Sequence, residues 1–206
     1  MYKGSYLELV LLTFDLPSLN MIVIDSNEGA SVNWPTEIFI SFISRSSCMI
    51  TTFTLHGTPL SDLDLIAVLH VMPSLFHLEI EDYNWGNLQA QYSPITSNLI
   101  SSLIQHESTS VSLVPKLHTL RLVSQRRHTG TFDDSIFVSM VESRWFRPGS
   151  DRSAAMSKMG RSCILLRSVV LKFTWRKLNA KVYKPLWILD KEGLRVVVAG
   201  KNGIQV

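Results

Sequence analysis

The chain has 206 residues, of which 46% are apolar and 18% are charged, a composition that is typical of a globular domain and excludes an intrinsically disordered chain. No uninterrupted apolar run is long enough for a transmembrane helix, and the first apolar run is interrupted by Glu8 and Asp15, which argues against a signal peptide. The net charge of +3 hides an asymmetry, because residues 1–114 hold eleven of the 17 acidic residues and only two of the 20 basic ones. Such a division can indicate an acidic partner, a nucleic acid or head-to-tail contact between copies of the chain, and the alternative is two halves whose surfaces are solvated by different charges.

A short apolar pattern, L-x-x-L-x-L, recurs along the chain and predicts its strands. The last two apolar positions alternate with outward-facing ones, as in a strand with one buried face. The first apolar position lies three residues before the second, and it is expected to anchor the chain where it turns into the strand. Five copies share this spacing, and three of them follow a proline; they begin at Leu19, Ile50, Leu75, Leu117 and Leu166.

Two weaker copies lie near the ends of the chain. Leu7-x-x-Val10-x-Leu12 is interpreted as a first, buried strand. Leu194-x-x-Val197-x-Ala199 is interpreted as a last strand, and the following Gly200–Gly203 segment predicts a hairpin turn.

Helical patterns fill the intervals between the strands. Ser61 and Asp64 form a capping-box variant at the start of one helix, and Gly193 is expected to end the last one. A neighbouring helix is expected to begin after Thr96 or Ser97. The predicted helices cover residues 35–44, 60–72, 95–105, 132–146 and 185–192.

The alternation of strands and helices predicts an α/β fold with a parallel sheet. A unit of one strand and one helix cannot bury its apolar face alone, so the copies are expected to stack. The sequence therefore predicts one domain over residues 1–206, an irregular leucine-rich-repeat-like solenoid with parallel strands on the concave face and helices outside. A doubly wound α/β domain is the structural alternative. Surface insertions are expected near residues 84–93, 124–131 and 148–161.

The outward-facing strand residues are expected to align in rows across the sheet and to form a partner-binding surface. The alternative is a set of solvated cross-strand pairs, such as Glu79 beside Arg121. The first predicted row contains Val23, Thr54, Glu79, Arg121 and Val170, and the second contains Asp25, His56, Glu81, Val123 and Lys172. The predicted partner-binding residues are Asp25, Thr54, His56, Glu79, Glu81, Arg121, Val123, Val170 and Lys172.

The sequence contains no motif for catalysis or cofactor binding, so neither an enzyme nor a cofactor is predicted. It lacks the G-x-S-x-G, H-E-x-x-H, Walker and dinucleotide-binding phrases. The six histidines form no i, i+4 pair with one another or with a cysteine, and no metal site is predicted. Cys48 and Cys163 are interpreted as buried thiols of a reducing compartment, which predicts a location in the cytoplasm or the nucleus.

Five longer sequence segments are more specific to one protein family than the short apolar pattern is. They are residues 39–57 (FISFISRSSCMITTFTLHG), 61–82, 113–122, 132–145 and 189–206. They resemble the repeat region of a large fungal group of F-box proteins with leucine-rich-repeat-like carboxyl-terminal domains. The resemblance implies the substrate-binding part of a receptor in a Skp–cullin–F-box ubiquitin ligase. Residues 34–39 (WPTEIF) are similar to the opening of an F-box, but the strand expected from Ile50 leaves no room for its other helices. A Skp-type adaptor is thus implied only if a longer product contains an F-box.

The leading functional prediction is therefore a protein–protein interaction module whose target is unknown. The alternative is a nucleic-acid-binding protein that uses basic residues such as Arg126, Arg127 and Arg144. Aromatic residues nearby fall at helical core spacing, so stacking on bases is not indicated.

Overall fold

The computed structural model describes residues 6–26, 34–83, 93–105, 112–126, 132–145 and 165–204. Six helices lie within these ranges: α1 (Tyr6–Thr13), α2 (Thr36–Ser46), α3 (Asp62–His70), α4 (Ser97–Ser102), α5 (Asp134–Arg144) and α6 (Lys184–Lys191). The strands are β1 (Met21–Asp25), β2 (Thr52–His56), β3 (His77–Asp82), β4 (Thr119–Ser124), β5 (Ser168–Phe173), β6 (Arg195–Gly200) and β7 (Gly203–Ile204). None of the helices in these ranges has the length and apolar composition needed to cross a bilayer.

The strands join the sheet in the order in which they occur in the chain. Strands β1 to β6 are all parallel, and β7 pairs antiparallel with the end of β6. This confirms an α/β fold with a parallel sheet. A doubly wound sheet would reverse its strand order at a switch point, and no reversal occurs among the described strands. The sheet is open, with β1 at one side and β7 at the other.

The recurring apolar pattern builds the core. Its first positions Leu75, Leu117 and Leu166 are each 0% exposed, and the two following apolar positions face inward from each strand. Full burial of one such side chain contributes about 1.5–3 kcal/mol, so the repeated pattern stabilises β3, β4 and β5, whereas Leu19, Ile22 and Ile24 of the first copy are only half-buried. Apolar faces of the helices complete this core, with Phe39 and Phe42 from α2 and Phe137 and Val141 from α5.

The prediction of a strand from Leu7 to Leu12 is wrong, because these residues form helix α1. The segment is rich in leucine, a strong helix former, and only Leu11 is buried. The guanidinium Nη2 of Arg45 donates hydrogen bonds to the carbonyl oxygens of Leu11 (2.8 Å) and Phe14 (3.0 Å). These bonds satisfy carbonyls at the carboxyl end of the helix, which have no partner within it.

The last strand is confirmed, but its inward residues were assigned wrongly. Val196 and Val198 face the core, whereas Val197 and Ala199 lie on the opposite face. Gly193 adopts a φ of +105°, which turns the chain directly from α6 into β6. Leu194 therefore lies one residue closer to its strand than the first position of the other copies does.

The five predicted helices are confirmed with end shifts of one to three residues: α3, α4 and α5 are shorter than predicted, α2 extends to Ser46, and α6 begins at Lys184. The caps of α3 and α4 follow the sequence. Ser61 accepts a hydrogen bond from the backbone N–H of Asp64, and Thr96 accepts one from that of Leu99. The predicted hairpin at Gly200–Gly203 is also present. Of the predicted insertions, the structure describes Ser93, Ser124, Gln125 and Arg126, and the other residues lie outside the described ranges. Ser124 belongs to β4, so it is not part of an insertion.

Candidate functional site on the outward face of the sheet

The two predicted rows are confirmed by the register of the parallel strands. The first runs through Val23, Thr54, Glu79, Arg121 and Val170, and the second through Asp25, His56, Glu81, Val123 and Lys172. Val197 and Ala199 of β6 extend them by one strand. We call this surface the outward face of the sheet.

Exposure differs along the rows. Asp25 and Lys172 are exposed, whereas Thr54 and Val123 are only 9% and 7% exposed. Both have short side chains beside longer ones in their rows, Thr54 beside Glu79 and Val123 between Glu81 and Lys172, so little of either is accessible to a partner. The remaining members of the predicted set are half-buried: His56, Glu79, Glu81, Arg121 and Val170.

Glu79 lies at the centre of a polar network that joins three strands. The Nε of Arg121 donates to Glu79 Oε1 at 2.7 Å, and the Nε2 of His56 lies 3.6 Å from the same oxygen. The Nε2 of Gln125 donates to Glu81 Oε1 at 2.7 Å. The Nδ1 of His56 faces Asp25 Oδ2 at 3.9 Å. These contacts orient the side chains, although half-exposed ion pairs contribute at most about 1 kcal/mol each to stability.

The charge on the outward face changes sign across the sheet. The acidic residues Asp25, Glu79 and Glu81 lie on β1 and β3, whereas Arg121 and Lys172 lie on β4 and β5. Because the strands are in chain order, the charge asymmetry of the sequence becomes a gradient along this face. Partial burial, followed by the negative charges of Glu81 and Asp25, raises the pKa of Tyr83, which follows β3.

An aromatic cluster at the amino-terminal end of β3 was not predicted. The rings of Phe76 and His118 are stacked with centroids 4.4 Å apart, and His77 meets His118 edge-on at 6.3 Å. Burial lowers the pKa of His118, and His77 and Arg167 add to this effect. The sequence held the necessary signal, because Phe76 and His118 both follow the first leucine of the apolar pattern and therefore become neighbours in the stack.

Two of the basic residues proposed for nucleic-acid binding, Arg126 and Arg144, are buried. Arg126 is paired with Asp82, which is also buried, at 2.7 Å. Arg144 is 2% exposed and donates to the carbonyl oxygens of Leu103 (2.6 Å), Leu113 (2.6 Å) and Val114 (3.1 Å). Arg127 lies outside the described residues. The arrangement of Arg126 and Arg144 stabilises the fold and offers no basic surface to a nucleic acid.

Two other places carry polar or nucleophilic groups. Asp134 accepts hydrogen bonds from Tyr183 Oη at 2.6 Å and from Arg176 Nη2 at 2.9 Å. Burial, followed by the Asp134 carboxylate, raises the pKa of Tyr183.

Cys48 lies in a shallow pocket with Met49 and Met72, and burial raises the pKa of its thiol. A raised pKa keeps this thiol protonated and unreactive. Cys163 lies outside the described residues.

Comparisons with known proteins gave no match to any family model, curated protein or solved structure.

Proposed function

We propose that this chain is a protein-interaction module, an irregular leucine-rich-repeat-like solenoid that docks a protein on the outward face of its sheet. Recruitment by surface complementarity, without bond chemistry, would be its mechanism. The resemblance of residues 39–57 and 61–82 to F-box receptors suggests a role in target binding. A Skp-type adaptor enters this proposal only through an F-box in a longer product, and the cytoplasm or nucleus is the expected location.

The observation that carries the proposal is the polar character of one face of a parallel sheet. Parallel sheets are ordinarily buried on both faces, and their strands then read as continuous apolar runs. Here β3 alternates buried Leu78 and Ile80 with half-buried Glu79 and Glu81. A six-strand parallel sheet with charged side chains on one face is typical of repeat proteins, which bind partners on that face.

The strand order and the charge gradient indicate which charges the proposed partner should carry. Consecutive β–α units that add to one side of a sheet give a continuous surface rather than a crevice. Its acidic part at Asp25, Glu79 and Glu81 favours basic groups on the target, and its basic part at Arg121 and Lys172 favours acidic groups. We therefore expect a target that presents charges of both signs along one segment.

Site-specific photo-crosslinking tests which face binds. A photoreactive amino acid would replace Asp25 or Lys172 on the outward face, and Leu63 on α3 or Glu142 on α5 as controls. All four side chains are exposed, so the replacements are not expected to disturb the core. We expect the outward-face positions to capture the same recurrent protein and the helix positions to capture none. Equal capture from the helix positions, or no capture from the outward face, would refute the proposal.

A charge exchange between Glu79 and Arg121 tests the role of the gradient. The double variant Glu79→Arg/Arg121→Glu keeps an ion pair but inverts its direction, so stability is expected to stay within about 1 kcal/mol of the wild type. Capture from Lys172 should fall at least about ten-fold, since like charges then face each other across the contact. Unchanged capture would show that the gradient does not select the target.

A further inference from the structure

Three potential metal-ligating side chains meet on the outward face although they are distant in sequence. His56 comes from β2, and Glu79 and Glu81 come from alternate positions of β3, so all three project to the same side of the sheet. One donor atom from each lies within 4.8 Å of the other two. Two ligands of one zinc ion lie about 3.4 Å apart in a tetrahedral site, so side-chain rotations that bring the three donors closer together would let one ion contact all of them.

The imidazole of His56 carries the strongest indication. Its Nε2 atom is buried and has no hydrogen-bond partner, although it lies 3.6 Å from Glu79 Oε1. This separation is too long for a hydrogen bond. It is close to the edge of a tetrahedral zinc site, about 3.4 Å when the ligands lie about 2.1 Å from the metal.

The other ring nitrogen of His56 has the surroundings expected behind a metal ligand. Nδ1 faces Asp25 Oδ2 at 3.9 Å. Histidines that bind a metal through one nitrogen commonly direct the other toward a carboxylate, which fixes the ring orientation and strengthens the ligand. The 3.9 Å separation is longer than a hydrogen bond, and a rotation of the exposed Asp25 side chain would close it, so Asp25 is the candidate positioning residue for His56.

The local charge also suits a divalent cation. Asp25, Glu79 and Glu81 bring three negative charges, and within the described part of the chain Arg121 is the arginine or lysine that forms an ion pair with them, through Glu79. Arg121 and Gln125 each donate one hydrogen bond to the Glu79 and Glu81 carboxylates, and a carboxylate accepts about four, so coordination sites remain. Two uncompensated charges would be neutralised by one divalent ion.

We propose that His56, Glu79 and Glu81 bind a divalent first-row transition-metal cation of the Zn²⁺ type. The mixed imidazole and carboxylate donors suit Zn²⁺ better than Ca²⁺ or Mg²⁺, which prefer oxygen ligands alone. Three protein ligands leave at least one coordination position open toward the outward face. The ion would join β2 to β3, and this site does not depend on the docking proposal.

Isothermal titration of the full chain with Zn²⁺ tests the site, with Co²⁺ absorption in the visible range as a second readout. We expect one ion per chain, and a loss of affinity of at least ten-fold in His56→Gln and in Glu81→Gln. His77→Gln is the matched control, because His77 lies on the same face of β3 outside the cluster. Circular dichroism would confirm that each variant folds. Asp25→Asn should weaken Zn²⁺ binding about ten-fold, as expected for a positioning residue.

Three outcomes would overturn the proposal: no stoichiometric uptake by the wild type, unchanged uptake by both His56→Gln and Glu81→Gln, or a loss in His77→Gln as large as that in His56→Gln. The last would assign the ion to the cluster of His77 and His118. If His56→Gln failed to fold, Glu81→Gln would decide alone. Photo-crosslinking from Lys172 would be repeated without metal, so that a failure of the ion site is distinguished from a failure of docking.

Discussion

Two ion pairs connect the same two strand segments, and they differ chiefly in burial. Arg121 and Glu79 join β4 to β3 on the outward face, and Arg126 and Asp82 join the carboxyl ends of these strands on the core side. The Nε–O distance is 2.7 Å in both pairs. The side chains of Arg121 and Glu79 are 33% and 34% exposed, whereas those of Arg126 and Asp82 are 9% and 2% exposed.

Equal Nε–O distances are expected to have different energetic consequences when burial differs. Burial of Asp82 and Arg126 removes both charges from water, so each depends on the other for compensation. Ser93 donates a further hydrogen bond to Asp82 at 2.6 Å. Glu79 and Arg121 keep part of their hydration, so a binding partner can replace either contact at little cost. We therefore expect the buried pair to contribute to stability, and the exposed pair to be available for the proposed recognition.

The largest effect is expected from Arg126→Met. This substitution keeps much of the side-chain volume but leaves the Asp82 carboxylate buried without its counter-ion, which should lower the free energy of unfolding by about 3–5 kcal/mol. Urea denaturation followed by circular dichroism would measure the change. A loss below about 1 kcal/mol would show that the two pairs are energetically alike and would remove the distinction drawn between them.

A smaller effect is expected in the pH dependence of stability. Burial raises the pKa of Asp82, against the lowering effects of Arg126 and Ser93. The folded state therefore binds more protons than the unfolded state between the ordinary pKa of an aspartate and the raised one, and the free energy of unfolding falls as pH rises through this interval. The Asp82→Asn variant has no carboxyl group that binds this proton. The free energy of unfolding of the wild type should therefore exceed that of the variant most at low pH, and the difference should shrink as pH rises. Urea titrations of both proteins across this range would measure it, and an advantage that grew with pH would contradict the raised pKa.

The smallest effect on stability is expected from Arg121→Met, the matched change on the outward face. Removal of one partner of a half-exposed pair should lower the free energy of unfolding by less than about 1 kcal/mol. The same urea measurement applies. A loss similar to that of Arg126→Met would mean that the Glu79 network is structural, and the case for recognition by these residues would weaken.

The strands and the register could be predicted because they depend on local spacing. Leu75, Leu78 and Ile80 repeat the spacing of Leu117, Leu120 and Leu122, and stacked copies with equal spacing have one consistent register. Once that register is known, the position of Glu79 beside Arg121 follows directly. The helix between two such strands is required by the parallel connection.

The failures occurred where the local pattern was ambiguous or where burial depends on distant residues. Leu7–Leu12 fits a strand spacing, but its helix is stabilised by Arg45, more than thirty residues away. Arg126 resembles a surface residue in the sequence, and only the fold brings Asp82 to it. The predicted rows already placed His56, Glu79 and Glu81 near one another, but they were not recognised as possible metal ligands. They come from two strands, and histidine spacing within one segment does not reveal such a set.

The three hydrogen bonds of Arg144 have a consequence for changes in chain length. Leu103 follows α4, Leu113 precedes β4, and one guanidinium binds the carbonyl oxygens of both. A segment inserted between residues 105 and 112 is therefore expected to leave the spacing of α4 and β4 unchanged, since doubling the length of a closed chain segment costs only about 0.6 kcal/mol in closure entropy. This connection is thus a suitable position for grafting a reporter peptide, provided that Arg144 is retained.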